Sequence, residues 1–186
     1  MTEKKKQEKK KIKAGGRIQV YTGNGKGKTT AALGQALRAA GWGLRTYFGQ
    51  FMKGQKYGEL ASAAKLDGLI VIEQFGKKSF IHVTENPSGQ DIARARRGLA
   101  SCREAMLSGL FRIVVLDEIN TAVFFRLLPE AEVLDLMDSR PAGVELILTG
   151  RYAPRSFIRK ADLVTEVKEI KHYYAQGVQA RKGIER

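Results

Sequence analysis

Residues 22–32 read TGNGKGKTTAA, and they lie between an apolar run, RIQVYT (17–22), and an alanine- and leucine-rich stretch, TTAALGQALRAA (29–40). The run before has the β-branched and aromatic make-up of a buried strand, and the stretch after has helical spacing. A glycine loop between a strand and a helix holds phosphate, because backbone N–H groups point at the anion and the helix dipole adds to the attraction. Gly23, Gly25 and Gly27 let the backbone come close to oxygens, Lys26 and Lys28 bring charge, and Thr29 and Thr30 bring hydroxyls. Lys28 is placed to reach phosphate oxygens and Thr29 to bind magnesium. The expected phosphate-binding set is therefore Thr22, Gly23, Asn24, Gly25, Lys26, Gly27, Lys28, Thr29 and Thr30. The strict motif has glycine where this chain has Thr22, and glycine is unusual at positions 23 and 25.

Further strands are expected at 43–51, 68–75, 111–118, 144–150 and 163–170, as near-continuous apolar runs. Helices are expected at 88–109, opened by Ser88 and closed by Gly109, as a pair over 120–139 whose second member Pro129 begins, and at 153–161. Gly41 is expected to end the first helix. Strands that alternate with helices and lack in-out alternation argue for a parallel sheet covered on two faces. The expected fold class is α/β: a single-domain P-loop (RecA-like) fold, with a mostly parallel six-stranded sheet and helices on both faces. Residues 1–14 form a lysine-rich tail expected to be disordered, and 15–186 the nucleotide-binding catalytic domain. Ligands in such sheets bind beyond the carboxyl ends of the strands, which selects the loops 22–29, 51–57, 117–121 and 149–153.

VVLDE (114–118) supplies the second half of a nucleotide site, since a buried strand delivers Asp117 and Glu118 to its carboxyl end. One carboxylate can hold magnesium, directly or through water, and its neighbour can position water in a hydrolase. The plainer alternative is that both carboxylates start the next helix. Arg151, in LTGRYAP, is placed to meet phosphate or transition-state charge, and Lys53, in QFMKG, has similar standing; for each the alternative is a solvated loop cation. Phe75 and Phe80 flank QFGKKSF, where they form either an apolar wall for a flat ligand or part of the core. His172 stands without a partner in KHYY.

The chain has 186 residues and a net charge of +14, with seven lysines and two glutamates in the first 13 residues. A solvated tail is the plain explanation of that run, and a nucleic-acid arm the sharper one. No run of 18 apolar residues occurs, so no membrane span is expected. MTEKKKQEKKKIK lacks the apolar stretch of a secretory signal. Cys102 is the only cysteine, which fits a reducing cytoplasm. The two histidines lie far apart, with no metal-ligand spacing.

TGNGKGKTTAA, QFMKG, VVLDEIN, LILTGRYAP and ADLVTEVKEIKHYYAQGVQARKGIE, in this order from about Arg17 to Glu185, resemble the P-loop type of ATP:corrinoid adenosyltransferase. The resemblance implies transfer of the 5′-deoxyadenosyl group of ATP to the cobalt of a reduced Co(I) corrinoid, with release of triphosphate, in adenosylcobalamin synthesis or corrinoid salvage. It implies ATP as co-substrate and Mg2+ held by Thr29 and Glu118 with Asp117 close behind. Lys28, Glu118 and Arg151 are then the expected catalytic residues, and Phe80 a corrinoid contact in place of an aromatic pair that many members carry. Expected partners are an electron-donor protein such as a flavodoxin and a second copy of the chain as a homodimer. Three alternatives stand beside this one: an NTPase or phosphotransferase, a nucleic-acid-stimulated ATPase, and a nucleotide-binding module without catalysis. The second lacks a platform of interleaved aromatic and basic residues.

Overall fold

The structure is a computed structural model and describes residues 15–77 and 87–185. The tail 1–14 and the candidate corrinoid contact Phe80 lie outside the described residues.

In chain order the elements are β1 (Ile18–Thr22), α1 (Lys28–Ala40), β2 (Thr46–Phe51), α2 (Gly58–Ala63), β3 (Ile70–Phe75) and α3 (Gly89–Leu107). They continue with β4 (Ile113–Asp117), α4 (Ile119–Phe124), α5 (Glu130–Asp138), β5 (Glu145–Thr149), α6 (Arg155–Lys160) and β6 (Leu163–Glu166), and end in a 3-10 turn at Tyr173–Gln176. The six strands form one sheet in the order β3-β2-β4-β5-β1-β6. Every pairing is parallel, so the sheet is wholly rather than mostly parallel among the described residues. Parallel strands need long crossovers, and the helices provide them.

The buried runs expected from the sequence are the interior strands. β2 and β4 are buried along their whole length, and β5 at four of five positions. The edge strand β6 differs, since all four of its residues are exposed and it stops at Glu166 instead of reaching 170. β2 begins at Thr46 rather than 43 because residues 41–43 still turn. Gly41, the expected helix terminator, is right-handed with φ −60°, and Gly43 takes the left-handed φ of 70°. Pro129 is the cap of α5 and not its first residue, with ψ 140° placing it in extended backbone. Ser88 caps α3 as expected, its hydroxyl accepting from the Asp91 N–H.

One core layer lies under α3, α4 and α5, where Phe51, Leu99, Met106, Leu116, Leu136 and Leu148 are buried together. A second lies under α1, built on Ala32, Ala39, Phe48, Val115 and Ile147. Small alanines on the buried stripe of α1 bring the helix close to the sheet. That fixes the phosphate loop directly above the carboxyl ends of β1 and β4. No described helix is long and apolar enough to cross a membrane.

Candidate nucleotide site

The phosphate loop runs from Thr22, where β1 ends, to Gly27, which caps α1 with φ 127°. That left-handed conformation is closed to most side chains, and it turns the chain into the helix so that Lys28 opens α1. The Lys28 side chain is 6% exposed, and its Nζ donates to the carbonyls of Gly23 and Gly25, both at 2.7 Å. Burial lowers its pKa, and the Glu118 carboxylate opposes that shift.

Gly23 and Gly25 have a reason beyond a phosphate's approach. A Cβ at Gly23 would stand 2.4 Å from the Val167 carbonyl oxygen, and one at Gly25 2.8 Å from the Lys168 carbonyl. The Gly25 N–H donates to the Val167 carbonyl at 2.8 Å, and the Glu169 N–H to Asn24 Oδ1 at 3.1 Å. The unusual glycines therefore make room for the chain that follows β6, which lies against the loop. Thr22 also serves the scaffold: its hydroxyl accepts from the Ala153 N–H at 3.2 Å and ties the 151–153 loop to β1.

Asp117 is fully buried at the end of β4, and each of its oxygens is engaged. Oδ1 accepts from the hydroxyls of Thr29 at 2.9 Å and Thr149 at 2.6 Å. Oδ2 accepts from Lys53 Nζ at 2.7 Å, with Gln50 Nε2 at 3.5 Å. Lys53 Nζ also lies 3.2 Å from Thr29 Oγ1. Burial works most strongly on the Lys53 pKa, downward, but the attraction and hydrogen bond of Asp117, with the carboxylates of Glu118 and Glu59, leave the ammonium above its ordinary value. Lys53 is thus no solvated loop cation. It neutralises a buried carboxylate at the junction of the loop and β4.

Glu118 has the left-handed φ of 63°, which turns its side chain away from the strand, and it makes no capping bond to α4. Its Oε2 accepts from the Thr121 hydroxyl at 2.6 Å, and that hydroxyl accepts in turn from the Arg151 N–H at 3.0 Å. A strained backbone at such a junction belongs to sites that must aim a side chain. Neither carboxylate serves merely to start a helix.

These groups surround a cavity of about 610 Å³. Asn24 to Thr30 line one side, and Lys53, Tyr57, Glu59, Glu118 and Arg151 line others. The four selected loops all contribute to it. Thr22, Gly23 and Asp117 do not line the cavity; they stand behind it. Phe75 is half-buried, lies 6.0 Å from the buried Phe51 between ring centroids, and does not line the cavity. Next to Arg151, the exposed Tyr152 stacks on Phe124 at 4.1 Å.

Sequence reasoning missed the remaining wall. His172, Gly183, Ile184 and Glu185 also line the cavity, on the side where Lys26 of the loop stands. Lys26 Nζ donates to Glu185 Oε1 at 2.8 Å and to the Tyr173 hydroxyl at 3.0 Å. The KHYYAQGVQARKGIE stretch was visible as a motif, but nothing in it discloses contact with a residue about 150 positions earlier. Glu59 was missed because α2, which carries it, is a short helix with no apolar periodicity, whereas Tyr57 falls inside the selected loop 51–57 without a motif of its own to single it out.

A family model described as ATP:corrinoid adenosyltransferase BtuR/CobO/CobP matches residues 14–186. The corrinoid adenosyltransferase CobA of Salmonella typhimurium is 36% identical over 170 residues, 91% of this chain and 85% of that protein. An uncharacterized Nostoc protein is 34% identical over 179 residues, 90% of this chain, and the chain spans only 47% of its length. Among solved structures, the KaiC-like protein PH0186 of Pyrococcus horikoshii superposes with a TM-score of 0.56 at 21% identity, covering 84% of this chain and 75% of that one. That likeness bears on the fold alone, and it accords with a RecA-like P-loop architecture.

Proposed function

The chain belongs to the ATP:corrinoid adenosyltransferase family, and from that premise we propose that it moves the 5′-deoxyadenosyl group of ATP onto the cobalt of a Co(I) corrinoid. The Co(I) lone pair forms a bond to C5′ as the C5′–O5′ bond breaks, and intact triphosphate leaves with the electron pair. The observation that carries this is the make-up of the cavity. Two of its walls come from the phosphate loop and from His172 with Gly183 to Glu185, which belong to the stretches on which the family resemblance is most specific.

Such a reaction needs no nucleophile from the protein, because the reduced metal of the substrate attacks. It needs alignment of C5′ and neutralisation of the departing triphosphate. Lys26, Lys28 and Arg151 supply cations to the cavity, and Asn24 to Thr30 the cradle. The Thr29 hydroxyl and the carboxylates of Asp117 and Glu118 are hard oxygen donors that suit Mg2+. Among the described residues no group of three or more His, Cys, Asp or Glu could hold a metal ion. Mg2+ nevertheless fits here, because it is commonly held by one or two carboxylates together with phosphate oxygens and water. Thr29 and Glu118 would hold it, with Asp117 fixed behind Thr29; the ion would offset charge on the leaving triphosphate.

The same proposal includes a cytoplasmic location, an electron-donor protein such as a flavodoxin to make Co(I), and a homodimer. Phe80 remains the proposed corrinoid contact. The test is optical: protein, ATP and magnesium are mixed with a chemically reduced corrinoid. A light-sensitive cobalt–carbon spectrum is expected. A corrinoid that stays unalkylated while ATP binds would contradict the proposal.

A further inference from the structure

Residues 167–185 follow β6 and lie on the phosphate loop through bonds that neither a strand ladder nor a core requires. The Gly25 N–H, the Asn24 side chain and the Lys26 ammonium each engage this segment. Room for it is built into the loop, since any side chain at Gly23 or Gly25 would strike its backbone.

Glu185 is the point where the segment closes. Its carboxylate accepts from Lys26 Nζ at 2.8 Å, from the Tyr173 hydroxyl, and from Arg181 through Nη2 at 3.0 Å, Nε at 3.2 Å and the backbone N–H at 2.9 Å. The Arg181 guanidinium lies 5.0 Å from the Tyr173 ring centroid and the Lys26 ammonium 5.7 Å from it. Two cations, one phenol and one carboxylate thus form a single knot, with one cation belonging to the phosphate loop. Charge-assisted bonds of this kind fix geometry more strongly than neutral ones. Arg181, then Lys26 and Tyr173, hold the Glu185 carboxyl well below its ordinary pKa, so it is ionised at neutral pH.

We propose that Glu185 is a positioning residue: by binding Lys26, Tyr173 and Arg181 together it holds residues 172–185 against the phosphate loop as the wall on which ATP is seated. This rests on the reading of the cavity as the ATP site. It acts through Lys26 and through the placing of His172 and Ile184, which line the same cavity. Its contribution is therefore to ATP affinity, not to the bond-making step.

The test uses the full chain with Glu185→Ala and Glu185→Gln, which keeps a hydrogen-bonding group but no charge. MgATP affinity is measured by calorimetry, and turnover at saturating ATP with reduced corrinoid. For Glu185→Ala the ATP Kd is expected to rise about tenfold, as for loss of a charge-assisted network, while kcat stays within about threefold. Glu185→Gln should fall between wild type and Glu185→Ala. Trypsin cleavage after Arg181 and Lys182 should quicken in Glu185→Ala, and ATP should slow it in the wild type. An unchanged Kd in Glu185→Ala would overturn the proposal while leaving the ATP site intact. A tighter Kd would overturn it too, since Glu185 would then be a competitor of triphosphate for Lys26. A wild type that binds no MgATP would overturn the site and the proposal together.

Discussion

Lys28 holds its ammonium on the loop's own carbonyls at 2.7 Å, in a setting where burial already disfavours the charge. A desolvated cation fixed at the helix N-terminus is strong toward a triphosphate, because little water screens it and little reorganisation is needed. Lys28→Ala is expected to lower kcat/KM for ATP by the equivalent of about 2–4 kcal/mol, seen in steady-state kinetics, with the fold kept. Wild-type kinetics would remove Lys28 from the site. Lys28, Thr29 and Asp117 were legible in the sequence because their spacing repeats a known physical solution. Lys53 was not, since a lysine in QFMKG is as consistent with solvent as with a buried ion pair; only the Asp117 distance of 2.7 Å separates the two. Gly23 and Gly25 were legible as a close approach, yet the approaching group includes the protein's own Val167 and Lys168.

At the scale of elements, the interior strands and the long helix were the readable parts. β2, β4 and β5 are buried runs, and α3 has a Ser88 cap and the left-handed Gly109 beyond its end. α2 went unread because GELASA is one and a half turns without a periodic stripe. The end of β6 went unread because an exposed edge strand carries no apolar signal. Gly98 shows how packing overrules local preference. Glycine in mid-helix costs about 1 kcal/mol against alanine. Here, however, a Cβ would lie 2.7 Å from Phe75 Cγ and 3.0 Å from Phe51 Cε1. Gly98→Ala is accordingly expected to destabilise the protein by about 1–3 kcal/mol in a denaturant melt, because overpacking beneath two rings outweighs propensity. A gain in stability would mean that α3 can move away from the sheet at little cost.

For the molecule as a whole, the sheet order puts β5 between β1 and β4, so the loop after one strand and the carboxylates after the other face each other across it. Alternating strands and helices made that class of fold legible. The strand order and the contact of Lys26 with Glu185, 159 residues apart, were not, since both depend on where the chain returns in space. The charge of +14 exceeds what one triphosphate can answer, and the first 13 residues, with seven lysines and two glutamates, account for only +5 of it, leaving +9 on the remaining 173.

Adenosyl transfer breaks the C5′–O5′ bond of ATP and none to phosphorus. P-loop hydrolases and kinases both break a bond to phosphorus. Phosphorus NMR of the products, with and without reduced corrinoid, separates the two chemistries directly. The expected result is intact ATP without corrinoid and, with it, one triphosphate for each cobalt–carbon bond formed. Steady ADP and phosphate without corrinoid, and no triphosphate when it is added, would contradict adenosyl transfer and make this site that of a hydrolase.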